Sequence, residues 1–129
     1  MTSNDTHTGN FGEISVRGRY NRSSAGNGPT ISVFVGKREA LTMDFLPDSP
    51  QGRHYHERRY LNMGNPVATI VLREVADDGS LLEHVVEHLQ ERLRSAGESL
   101  AADNLTPANS AEVTRYIAAM YYSINGNKN

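Results

Sequence analysis

The chain contains no cysteine among its 129 residues, which excludes disulfide staples and thiolate metal sites outright. No stretch approaches the roughly 20 apolar residues that a membrane-spanning helix needs. The first ten residues, MTSNDTHTGN, hold no Lys or Arg and no apolar run, so no signal peptide is expected. Neither sign of charge dominates: 13 Lys and Arg against 15 Asp and Glu give a formal net charge of −2, which argues against a general nucleic-acid packer. Missing too are a nucleophile elbow, a Walker-type phosphate loop, a dinucleotide fingerprint and internal repeats. These absences point to a soluble intracellular protein, cytoplasmic in its expected location, with no membrane partner and no cofactor.

What is present reads as a folded domain. Hydrophobic residues make up 37% and charged residues 22%, enough apolar material for a chain of this length to bury a core without staples. Residues 1–10 read as a flexible polar tail, 11–125 as one domain and 126–129 as a second tail. In FGEISVRGRY, residues 11–20, Ile14, Val16 and Tyr20 alternate with Glu13, Ser15, Arg17 and Arg19, the pattern of a half-buried strand. Gly18 within it predicts a bulge or a close backbone approach. NRSSAGNGP, residues 21–29, reads as a flexible loop. TISVFVGK (30–37) and ALTMDFL (40–46) are further strands, and RHYHERRYL (53–61) is a fourth. NMGNP (62–66) is a turn, and VATIVLREV (67–75), apolar on both faces, is expected to be central in a sheet or covered on both sides.

The period then changes. Ser80 and Glu83 have the spacing of a capping box. Leu82, Val85, Val86, Leu89, Leu93 and Ala96 make a helical stripe that Gly97 ends. Thr106-Pro107 starts a second helix, with Val113, Ile117, Met120 and Ile124 as its stripe. The expected fold is therefore α+β: a mostly antiparallel sheet of about five strands over residues ~11–75, followed by two helices, ~80–96 and ~107–124, packed on one face. Ala118, Ala119 and Tyr122 lie opposite the second helix's stripe, and a helix apolar on both sides predicts self-association through that side.

Two histidine pairs carry the candidate chemistry. His84-Val-Val-Glu87-His88 resembles the helix of inverted zinc peptidases, which implies zinc on the two histidines, Glu87 polarising water, and a third ligand from Glu98 or Glu112. On a helical wheel, however, His84 and His88 fall on the polar side with Glu91 and Ser95, so a solvated face is the reading adopted.

In RHYHERRY, residues 53–60, strand geometry puts His54, His56, Arg58 and Tyr60 on one face. Arg17 and Arg19 share a face of the first strand. Should the two strands lie near one another, Arg17, Arg19, His54, His56, Arg58 and Tyr60 form an anion site, since guanidinium forks suit phosphate. Tyr20, Phe34 or Tyr60 could stack on a base, and loop 21–29 could fold over a ligand. His54 and His56 are also a candidate metal pair. The His-x-His tripeptide with a later helical tyrosine, Tyr116, is similar to the outline of HUH endonucleases. That resemblance implies a metal-dependent phosphodiesterase with Tyr116 as nucleophile. It covers one tripeptide and one tyrosine, and the strand departs from the pattern by continuing as Glu57-Arg58-Arg59.

The leading expectation is a small, non-enzymatic, homo-oligomeric protein that binds a phosphate-bearing ligand, a nucleotide or single-stranded nucleic acid. The alternatives are a structural or adaptor subunit without a small ligand and the phosphodiesterase. Eight Lys and Arg against six Asp and Glu in residues 1–62 place an anion site in that half.

Overall fold

Alternating apolar and polar residues build one antiparallel sheet, and the helical periodicity after residue 76 supplies its cover. The computed structural model describes residues 7–23, 26–50, 52–60 and 68–126, with the side chains of 23 and 68–74 outside that description. Six strands form a meander in which each pairs antiparallel with the next: β1 (His7–Phe11), β2 (Ile14–Ser23), β3 (Gly26–Val35), β4 (Arg38–Asp44), β5 (Arg53–Arg59) and β6 (Ala68–Val75). Four helices follow: α1 (Asp78–Val86), α2 (Leu89–Ser95), α3 (Ser99–Asp103) and α4 (Pro107–Gly126). None is long and apolar enough to cross a membrane among the described residues.

The α+β class is the expected one, and the core sits between the sheet and the helices. Ile14 and Val16, Ile31 and Val33, Leu41 and Met43, and Tyr55 share the covered face. They meet Leu81, Val85, Leu89 and Leu93 from α1 and α2, and Val113, Ile117, Met120 and Ile124 from α4. Each such side chain contributes about 1.5–3 kcal/mol when fully buried. Gly18 on this face is the close approach that its position in β2 suggested. A Cβ there would lie 2.6 Å from Met120 Sδ and 2.7 Å from Ile124 Cδ1. It is not a bulge; register shifts fall instead at Val33/Phe34, between β3 and β4, and at Arg53/Tyr55, between β5 and β6.

Several boundaries differ from those read in the sequence. Residues 7–10, read as tail, are the edge strand β1, held to β2 by backbone pairing that leaves no side-chain pattern. Much of loop 21–29 is strand: Asn21 pairs with Gly28, Arg22 with Asn27 and Ser23 with Gly26. It is therefore the arm of a hairpin rather than a ligand lid.

The first helix starts at Asp78, capped by Asp77, whose carboxylate accepts from the Ser80 backbone N–H at 2.7 Å, so the Ser80–Glu83 box is not the cap. It breaks at Glu87–His88 into α1 and α2, with Leu89 and Leu93 buried after the break as Val85 and Val86 are before it. Gly97 does end α2. Its N–H donates to Arg94 O and that of Glu98 to Leu93 O, both orphan carbonyls of the last turn. The strand at 67–75 is not central: it is β6, last in the sheet order and paired with β5 alone among the described residues, while the turn at 62–66 and the side chains of 68–74 lie outside the description.

Candidate functional site

The sheet face opposite the helices carries two cross-strand rows. Register aligns Arg17 with Ser32, Ser32 with Thr42 and Thr42 with His56. One step along, it aligns Arg19 with Thr30, Thr30 with Asp44 and Asp44 with His54. Period-two alternation forces this: the residues between them, such as Val16, Val33, Met43 and Tyr55, are the ones buried under the helices. Short of the histidines, the rows line a depression of about 370 Å³ walled by Arg17, Arg19, Phe34 and Arg58 over Thr30, Ser32, Thr42, Glu39 and Asp44. Two other depressions, of about 560 and 610 Å³, lie at the β1 edge and beside α4. Their ionisable lining is Glu13 with Glu112, and Glu87 with Arg115, so neither gathers the histidines or the arginine cluster.

The polar floor is internally connected. Arg58 Nη1 donates to Thr42 Oγ1 at 2.6 Å. Thr42 Oγ1 donates to Glu39 Oε2 at 2.5 Å, and Ser32 Oγ reaches the same oxygen at 2.7 Å. Arg58 also faces Glu39 at 3.6 Å. The Arg17 guanidinium lies 4.7 Å over the Phe34 ring, a cation–π contact. Arg17 and Arg19 have no carboxylate within ion-pair distance among the described residues.

Beside the depression, Asp44 Oδ2 lies 3.1 Å from His54 Nε2 and 3.2 Å from His56 Nε2. Its other oxygen accepts from Thr30 Oγ1 at 2.8 Å. Burial works to raise the Asp44 carboxyl. The hydrogen bonds from His56 and Thr30, with the charges of His54 and His56, outweigh it and hold the group below the usual carboxylate range.

Of the six residues singled out from the sequence, the structure brings Arg17, Arg19 and Arg58 into one depression. His54 and His56 adjoin it, turned toward Asp44. Tyr60 is half-buried and donates to the Glu39 carbonyl at 3.0 Å, so it sits outside the lining. Glu39, Thr30, Ser32 and Thr42 went unassigned. The signal for them was the strand face that each shares with an already suspected residue, but only the register shows which ones meet.

Tyr116 is on the other side of the sheet. It packs edge-on against Phe11 and against Gly9, whose cross-strand partner Val16 faces the helices. The sheet thus separates it from His54 and His56, and the phosphodiesterase arrangement does not assemble within this chain. The HxxEH stretch is divided by the break between α1 and α2. His84 packs against Tyr55, while His88 is exposed with Glu91. Glu98 is taken by a bidentate pair with Arg38, at 2.7 and 3.0 Å.

Fold and site together define a class: an α+β domain with one sheet face under helices and a polar, arginine-walled depression on the other. Compared with family models, curated proteins and solved structures, the chain finds no match.

Proposed function

We propose that this is a non-enzymatic, homo-oligomeric binding protein that holds a phosphate-bearing ligand, a nucleotide or single-stranded nucleic acid, on the open sheet face. What supports the reading is the pairing of Arg17 and Arg19, free of carboxylate partners among the described residues, with the hydroxyls of Thr30, Ser32 and Thr42 below them. Guanidinium forks take two phosphate oxygens at once, and Phe34 offers a ring beside them for a base. Arg58, already shared between Glu39 and Thr42, orients the floor more than it binds.

The oligomer reading rests on α4, whose outer side carries Ala118, Ala119 and Tyr122, the last 69% exposed. Fluorescence anisotropy with labelled oligo-dT and a labelled nucleotide tests the ligand. Affinity should fall with salt, and Arg17→Ala with Arg19→Ala should flatten the log–log slope by about 1.4 for single strands if both hold phosphates. Binding unchanged in that double variant refutes the assignment. Tyr122→Glu, followed by gel filtration, should shift the protein toward monomer; an intact oligomer removes α4 from the interface.

A further inference from the structure

The arrangement around Asp44 has a feature that anion binding does not use. His54 is 4% exposed, and its Nδ1 lies 2.8 Å from the Gly52 carbonyl. A carbonyl only accepts, so Nδ1 carries the proton. In a neutral ring, Nε2 then holds a lone pair, and that nitrogen is the one turned at Asp44 Oδ2 from 3.1 Å. A lone pair against a carboxylate oxygen in a buried place is repulsive unless a cation lies between them. That cation is either a second proton on the ring or a metal ion.

The spacing fits a metal. With metal–ligand distances of about 2.0–2.2 Å, ligand atoms lie about 3.0 Å apart at octahedral angles and about 3.4 Å apart at tetrahedral ones. The two Asp44–histidine separations, 3.1 and 3.2 Å, fall between these limits; all three ligand atoms lie within 4.8 Å of one another, so sharing one ion draws the two imidazoles slightly together.

The surroundings fit as well. Metal-bound histidines usually donate their other N–H to a carbonyl or carboxylate, which fixes the ring. For His54 that acceptor is the Gly52 carbonyl, itself held by Ser49 Oγ at 3.1 Å. The Asp44 carboxylate is aimed by a relay in which Asn21 Nδ2 donates to Thr30 Oγ1 at 2.5 Å and Thr30 donates to Asp44. The His54 and His56 rings stand edge-on, with centroids 4.7 Å apart, so their nitrogens approach from different directions. Exposure of the His56 side chain, 20%, against 5% for that of His54, leaves one side open to solvent.

We infer that Asp44, His54 and His56 form a binding site for a first-row transition-metal dication, held by Asp44 Oδ2 and the two Nε2 atoms. Two imidazoles and one carboxylate select zinc, cobalt, nickel or ferrous iron over calcium or magnesium. Three protein ligands leave at least one position open, unlike a closed structural site. Asp44 also lines the arginine depression, so the open position lies beside the place proposed for phosphate. The site stands without the phosphate reading, because metal binding is measured with no nucleotide present.

The test is calorimetric titration of the untagged full chain with Zn²⁺, and with Co²⁺ followed by its visible d–d absorption. One ion per chain is expected. His56→Ala and Asp44→Asn should each weaken it at least about 100-fold, the upper end of what losing even an outer-shell partner does, and Thr30→Val about 10-fold. His84→Ala and His88→Ala should leave binding unchanged. Circular dichroism confirms that each variant folds, and His56→Ala keeps the test sound if the more buried positions do not tolerate change. No bound metal means that a proton alone separates His54 from Asp44 and overturns the site. Binding that survives His56→Ala, or that disappears with His88→Ala, overturns it equally.

Discussion

Glu57→Ala is expected to cost about 3–5 kcal/mol of folding stability, as when one partner of a buried ionic network is removed. Glu57 is 4% exposed on the helix-covered face of β5. Its Oε2 accepts from the Tyr55 hydroxyl at 2.7 Å and its Oε1 from Ser95 Oγ at 2.5 Å, with Arg92 Nη1 3.6 Å away. Burial, then the Glu57 hydrogen bond and charge, push the Tyr55 hydroxyl well above the usual phenol range, so it remains a donor at neutral pH.

Truncation leaves the two hydroxyls without an acceptor, at about 1–3 kcal/mol each. The Arg92 contribution is smaller, since its side chain is 24% exposed and water screens the pair. In urea, a slope of about 2 kcal/mol/M turns this loss into a midpoint shift of about 2 M. Tyr55→Phe combined with Glu57→Ala should be clearly non-additive, with a coupling of at least about 1 kcal/mol. A loss below about 1 kcal/mol for Glu57→Ala, or an additive pair, would refute the network as a stabilising element.

Gly18→Ala should cost about 1–3 kcal/mol, because the added methyl overlaps Met120 and Ile124 in a filled core; an unchanged urea midpoint contradicts that. His84 gives a pH signature. Burial, then the nearby charges of Arg92 and His88, hold its imidazole below the ordinary 6.5 against the opposing pull of Glu57, with the Tyr55 ring packed on it. The unfolded chain therefore binds this proton more readily than the folded one. Stability falls as pH drops from about 6.5 toward the folded value and is flat above it. His84→Gln should reduce that acid loss, and an identical pH dependence of the unfolding midpoint excludes His84 as its source.

Much of the site was legible because a strand's period is two. Once Ile14 and Val16 were read as inward, Arg17 and Arg19 had to point outward, and the same logic separated His54, His56 and Arg58 from Tyr55. The α4 stripe was equally plain, since Val113, Ile117, Met120 and Ile124 follow helical spacing and are all buried. Less legible were features that leave no side-chain pattern. Strand β1 is held by backbone pairing, and the apolar stripe through Val85, Leu89 and Leu93 runs on without marking the break at Glu87–His88. Nothing in HYHERRY marks Glu57 as buried, yet Ser95 and Arg92, more than thirty residues away, make it a buried acceptor.

The local sequence by itself thus determined the class of fold and which residues share a face, because both follow from short-range periodicity. Tertiary structure alone decided which faces meet and in what register. It set Asp44 opposite His54, turned Tyr116 to the far side of the sheet, and broke the helix between His84 and His88. Those outcomes depend on how strands pair and helices seat over distances that no local pattern encodes.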